Sequence, residues 1–300
     1  MKTIHFLSGL PRSGSTVLAG ILNQHPSVHA SSTSGLLDML VGTLTAWSDS
    51  LSVKAAIDQK ESEKEIQRIL RTICDEKYSR VDKPVILDKA RSWASSMNIS
   101  TMTSILGAEP KIIATVRNIP DCVASMVRVA KPDNLDDFLR TSELVGHIKK
   151  SYQVLEGGYR QSPESILFVE YDDLINEPQA QLDRVHEFLE LPAHTYDFNA
   201  IDGTNLKERD EEAWNVKGLH DIKPVLARQH NELPEDVLKH RFIEYQQPRF
   251  WRGEIQDDAP IHKLDMQLSA GLMGNFDEGE RIANELAVEE PWNNRAAFNR

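Results

Sequence analysis

Thr3-Ile-His-Phe-Leu-Ser-Gly9-Leu-Pro-Arg-Ser-Gly-Ser-Thr16-Val-Leu-Ala-Gly-Ile-Leu22 decides how the chain folds. The first six residues read as a short buried strand, Gly9–Thr16 as a glycine loop, and Val17–Leu22 as a helix that stops before Asn23-Gln-His-Pro26. Strand, glycine loop, helix is the opening of a nucleotide-binding α/β domain. Gly9-x-x-x-x-Gly14-Ser15-Thr16 has the frame of a phosphate loop, whose backbone N–H groups and helix N-terminus make an anion site. A plain glycine turn is the alternative, but this one stands where the chemistry requires a loop. The lysine of an NTPase loop is missing: Ser15 stands after Gly14, and the loop's cation is Arg12. Without that lysine, γ-phosphoryl transfer loses its main protein charge.

Outward from the loop, strands are predicted at Pro84–Asp88, Lys111–Val116 and Ser165–Glu170, short and almost wholly apolar, as in parallel sheets covered on both faces. Helical periodicity marks Leu36–Trp47, Glu63–Lys77, Ser92–Leu106, Pro120–Arg128, Leu135–Leu155 and Gln179–Leu191. The expected fold is α/β, a phosphate-loop-type parallel sheet flanked by helices on both faces. From Pro192 to about Leu233 the chain is polar and irregular. A linker, Glu254–Pro260, then leads to two helical stretches at Ile261–Met273 and Asp277–Glu289. The expected division is a domain over 1–253 and a small helical extension over 254–300.

Three motifs, read together, resemble the sulfotransferase family. Leu10–Thr16 is similar to its 5′-phosphosulfate loop, in which a cation-Ser-Gly-Ser/Thr-Thr run replaces the NTPase motif, and Leu22–Pro26 resembles the tyrosylprotein and bacterial branch. Val116-Arg117-Asn118-x-x-Asp121-x-x-x-Ser125 resembles the 3′-phosphate motif, with Arg117 at a strand end and Ser125 eight residues on. An arginine fork and a hydroxyl suit a phosphate. Phe168–Leu174, Glu177-Pro178 and the helix ending Phe188–Leu191 resemble a third family stretch, in which Tyr171 lies against the nucleotide.

The resemblance implies a transferase that moves a sulfuryl group from 3′-phosphoadenosine 5′-phosphosulfate (PAPS) to a hydroxyl of a carbohydrate, small metabolite or tyrosine. It releases adenosine 3′,5′-bisphosphate (PAP) and uses no metal. The implied nucleotide contacts are Arg12, Ser13, Gly14, Ser15 and Thr16, then Arg117, Ser125, Arg128 and Tyr171, and more loosely Lys217 and Lys223. Arg128 departs from the pattern, standing three residues after Ser125 where the family often has an arginine four on. Lys89, in Leu87-Asp-Lys-Ala90, matches the strand-end lysine that meets the bridging oxygen, beside Arg12 as the second catalytic cation. The general base is less direct. The tyrosylprotein branch has a glutamate about 21 residues after the loop cation, and here that position is Thr33, between Ser32 and Ser34. Asp38, His29 and Asp88 are the candidate bases, in that order. Two other functions stay open: a phosphate-loop nucleotide kinase or NTPase, and a non-catalytic nucleotide-binding scaffold.

Composition sets the outer limits. The chain has 300 residues, with 34 Lys and Arg against 46 Asp and Glu, a formal charge of −12. That balance argues against a nucleic-acid binder and requires any anion to be held by local cations. No apolar run approaches the ~20 residues of a membrane span. Two cysteines, Cys74 and Cys122, without metal-type spacing, and an N-terminus unlike a signal peptide, lead us to expect a cytoplasmic protein. Gly274–Asn294 resembles the second half of a tetratricopeptide repeat, with Gly274, Phe276, Ala283 and Pro291 near the expected positions. One repeat cannot bury its own face. The extension is therefore expected to pack on the domain, to contact a protein partner, or to begin a longer repeat array.

Overall fold

Apolar runs too short for helices, separated by glycine and proline, give this chain its sheet. The computed structural model describes residues 2–56, 62–203, 221–227, 233 and 247–254. Among them, β1 (Thr3–Gly9), β2 (Val28–Ala30), β3 (Val85–Lys89), β4 (Ile112–Val116) and β5 (Ile166–Glu170) form one sheet in the order β2-β3-β1-β4-β5. Every pairing is parallel. Side chains alternate between two cores. Phe6, Ile86, Ala114 and Ile166 face one, and Leu7, Leu87, Ile113 and Val169 face the other. Covering both faces is why the strands read as continuous apolar runs.

The first core is roofed by α2 (Leu36–Asp49), α4 (Ser62–Lys77), α5 (Ser96–Leu106), α6 (Ile119–Ala130) and α8 (Glu143–Gln161). The second lies under α1 (Ser15–Leu22) and α10 (Pro178–Leu189). Shorter helices, α3 (Leu51–Ala56), α7 (Leu135–Thr141) and α9 (Tyr171–Asn176), complete the connections. From β1 the chain leaves toward β2; from β4 it leaves toward β5. That reversal opens a crevice at the carboxyl ends of β1 and β4, the usual ligand position in such sheets.

Several boundaries differ from the sequence expectation, each for a local reason. β2 was not predicted; it has three residues and is held by Asn23, whose side chain donates to Ala30 O at 2.9 Å and accepts from Ala30 N at 2.9 Å. The helix expected over Leu135–Leu155 is broken at Ser142, whose hydroxyl accepts from Leu144 N at 3.2 Å and starts α8 afresh. Ser95 does the same for α5, accepting from Asn98 N at 3.2 Å, so that Arg91–Ala94 forms a separate 3₁₀ turn.

A 3₁₀ turn, Phe250–Arg252, packs on the first core beside β5. Phe250 meets Tyr152 and Phe168, with ring centroids 5.3 and 5.5 Å away. Arg252 pairs with Glu170 and, at 3.2 Å, with Asp173. The 254–300 extension, with its tetratricopeptide-like stretch, lies beyond Glu254 and outside the described residues.

His5 on β1 gives the fold a pH dependence. Burial first, then the Lys111 charge, lowers its pKa to about 4, and burial lowers His25 and His186 in the same direction. Between pH 6.5 and 4 the unfolded chain thus binds histidine protons that the native state excludes, so the histidine contribution to stability falls as pH falls, against the opposite contribution of buried Asp88, whose pKa is raised. Urea midpoints measured across that window should show the slope, and His5→Gln should flatten it. An unchanged slope in the variant would remove His5 from the account.

Candidate active site

The glycine loop is held against β4 by its own small residues. Gly9 has φ +143°, and a Cβ there would collide with the carbonyl and hydroxyl of Thr115. That closeness lets Leu10 N donate to Thr115 O at 2.9 Å. Ser13, expected to contact nucleotide, is instead buried in the brace. Its hydroxyl lies 2.6 Å from Leu10 O, 2.9 Å from Thr115 O and 2.7 Å from Thr115 Oγ1, and it does not line the cleft. Gly14 has φ +91°, and a Cβ there would come within 2.8 Å of the Tyr171 ring. The loop therefore needs glycine both to turn and to receive Tyr171.

Arg12 also sits in the left-handed region, at φ 66°. A non-glycine residue held there stores of order 1–3 kcal/mol of strain, a conformation common at ligand clamps. The turn sends its guanidinium toward α6, where Nε donates to Ser125 Oγ at 3.2 Å. Arg117, at the end of β4, is buried with its guanidinium carbon 4.2 Å from the Tyr171 ring centroid. Lys89, at the end of β3, is buried, and its Nζ donates to Thr16 Oγ1 at 3.3 Å.

These groups line one cleft of about 560 Å³. Arg12, Gly14, Ser15 and Thr16 come from the loop, Lys89 from β3, Arg117 and Ser125 from β4 and α6, and Tyr171 from α9. The α1 N-terminus adds its dipole. Burial is the main cause that brings the Arg12 pKa down to about 10, and Arg128, Arg91 and Arg117 push it the same way. Crowded cations in a partly dehydrated cleft, on a chain of charge −12, form a site that a polyanion would relieve.

Other expected residues are placed differently. Asp88 does not line the cleft. It lies on the core face of β3, where Tyr78 OH donates to it and Trp93 Nε1 donates at 2.7 Å, and burial raises its pKa. His29 is on β2, its ring 6.1 Å from that of Tyr78, away from the cleft. Arg128 is exposed and outside the lining, although its charge reaches Arg12. Lys223 is exposed and does not line the cleft, whereas Asp221 and Ile222 beside it do. Lys217 falls outside the described residues. Asp38 is exposed at the cleft wall, with Thr33 and Ser34 next to it.

Among the lining residues not predicted as functional are Arg91, just after β3, and His147 on α8. The sequence spacing of Leu144 and His147, one turn apart, was the available signal, since both reach the cleft.

The sulfotransferase family profile matches residues 5–195. The chain belongs to that family. A curated relative, protein-tyrosine sulfotransferase A of Caenorhabditis elegans, is 23% identical over 256 residues, which cover 78% of this chain and 62% of that protein. The chain thus spans about three fifths of the relative's length. Among solved structures, the sulfotransferase domain from the curacin biosynthetic pathway is 18% identical with TM-score 0.46, covering 95% of this chain and 97% of that one. Mouse sulfotransferase SULT7A1, complexed with PAP, is 16% identical with TM-score 0.42, covering 95% and 89%. In this sulfotransferase-family chain, the region matched by the profile contains the loop, Lys89, Arg117, Ser125 and Tyr171.

Proposed function

We propose that this protein is a PAPS-dependent sulfotransferase acting on a hydroxyl acceptor. One observation carries the reading: Arg12 of the loop bonds to Ser125 of the second motif, 113 residues away, and Lys89 bonds to Thr16 at the other end of the loop sequence. PAPS supplies an activated sulfuryl group. Arg12, the Ser15 and Thr16 end of α1, and Gly14 are suited to the 5′-phosphosulfate. Arg117 and Ser125 are suited to the 3′-phosphate, and Tyr171 to the nucleotide's flank. The crowding of Arg12 by Arg91, Arg117 and Arg128 fits a ligand with several negative charges.

Lys89 holds an ammonium where charge gathers on a departing phosphate oxygen. Leu37, Met126, Leu144 and Ile222 give the cleft an apolar wall suited to the body of an acceptor. A tyrosine phenol is the favoured acceptor among carbohydrate, metabolite and tyrosine, supported by the name of the Caenorhabditis elegans relative. Cys74 and Cys122 are buried free thiols, which supports a reducing compartment such as the cytoplasm. No helix among the described residues is long and apolar enough to cross a membrane.

The test pairs binding with transfer. PAP at ~100 times its Kd should stabilise the fold by ~2.7 kcal/mol in a thermal shift. Labelled sulfate should pass from PAPS to a tyrosine peptide or a simple phenol in the presence of EDTA. Transfer that EDTA abolishes and Mg²⁺ restores would favour the kinase-like reading. PAP binding without transfer to any hydroxyl would favour the scaffold.

A further inference from the structure

We infer that the His147 imidazole is the general base that takes the acceptor's proton, an inference that rests on the sulfotransferase reading above. His147 lines the same cleft as Lys89, Thr16 and Arg12, and comes from α8, a helix outside all three motifs.

The seating of α8 makes this placement rigid. Gly158 lies so close to the Ala94 carbonyl that a Cβ would have no room. Ala94 ends the 3₁₀ turn that begins at Arg91, two residues after Lys89. At the other end, Ser142 caps the helix five residues before His147. α8 is thereby pinned beside the end of β3, and Leu144 and His147 are turned into the cleft.

The cleft has few groups able to accept a proton at neutral pH. Asp38 and Asp221 are exposed carboxylates, and imidazole is intrinsically the stronger base. His147 is only partly exposed. Burial first, then the charges of Arg91 and Lys150, lowers its pKa, while Glu143 opposes them. Lys89, Asp38 and Asp221 face the same cleft from β3, α2 and the segment at 221. The lowered pKa keeps the imidazole mainly in its neutral, basic form at pH 7. A bound polyanion offsets the Arg91 field and raises the pKa toward the working pH, where a general base is most effective.

The step balances without any redox change. The acceptor O–H passes its proton to His147 as the acceptor oxygen bonds to sulfur. The bond from sulfur to the 5′-phosphate oxygen breaks, and its electron pair stays on that oxygen, beside Lys89. The imidazolium then releases its proton to solvent.

Two measurements test this. In the first, NMR titration of the histidine side chains should show the His147 pKa rising when PAP is added. In the second, His147→Gln should keep the PAP thermal shift while kcat with phenol falls ~10²–10³-fold. The loss should be much smaller with 4-nitrophenol, which ionises more readily, and the acidic limb of the pH–rate profile should disappear. A His147 pKa unmoved by PAP would overturn the assignment, as would a variant within threefold of wild type on both phenols. If wild type binds PAP but uses neither phenol, the NMR titration decides alone. Wild type without PAP binding would overturn the donor reading, and this base with it.

Discussion

Lys89→Ala is expected to lower kcat for sulfuryl transfer ~10²–10³-fold while PAP affinity stays nearly intact. The charge that Lys89 meets grows only as the sulfur–oxygen bond breaks, so its removal should cost the transition state more than the bound ground state. The geometry fits this role. The ammonium is buried at the end of β3 and bonds to Thr16 Oγ1 at 3.3 Å, at the first turn of the anion-binding helix. In such a partly dehydrated position, charges interact more strongly than they do in water. Lys89→Met, which keeps the buried stem, should behave like the alanine variant and separates lost charge from lost packing. Single-turnover rates with saturating PAPS, set against calorimetric PAP affinity, provide the check. If both fall in proportion, Lys89 binds the nucleotide uniformly and has no special part in the chemistry.

Strand-end cations and the loop were legible because their signals are local. Gly9, Gly14 and the apolar runs state their own conformations, and Arg117 and Ser125 lie eight residues apart on one strand–helix junction. What failed depended on direction or distance. Asp88 and Lys89 are neighbours in sequence, yet side chains alternate along a strand, so Lys89 meets the loop while Asp88 enters the core with Trp93. Ser13 has the residue type of a phosphate ligand, but its loop position turns the hydroxyl down onto Thr115. Ser95 and Ser142 lie within strong helical periodicity, and only the backbone N–H each one caps identifies it as a break. His147 was the hardest to foresee. Its one local signal is the one-turn spacing from Leu144, which any amphipathic helix shows, and it reaches the cleft on a helix that Gly158, three turns away, lets close onto Ala94.

Arg117→Ala should weaken PAP binding by ~2–5 kcal/mol, the loss for removing one partner of a buried, hydrogen-bonded charge pair. That is ~30-fold to several-thousand-fold in Kd. AMP, which lacks the 3′-phosphate, should lose little. The contrast follows from position. Arg12 and the α1 N-terminus belong to the loop, whereas Arg117 reaches the cleft from the end of β4. Its guanidinium already rests on the Tyr171 ring, 4.2 Å from the centroid, so its orientation is set before any ligand arrives. Little side-chain freedom is then lost on binding. Arg117→Lys keeps a charge but loses the planar fork and the ring contact, and should fall between wild type and alanine. Calorimetry with both nucleotides on all three proteins is the measurement. Equal losses for PAP and AMP would mean that Arg117 supports the cleft as a whole, and the 3′-phosphate would then have to be held elsewhere.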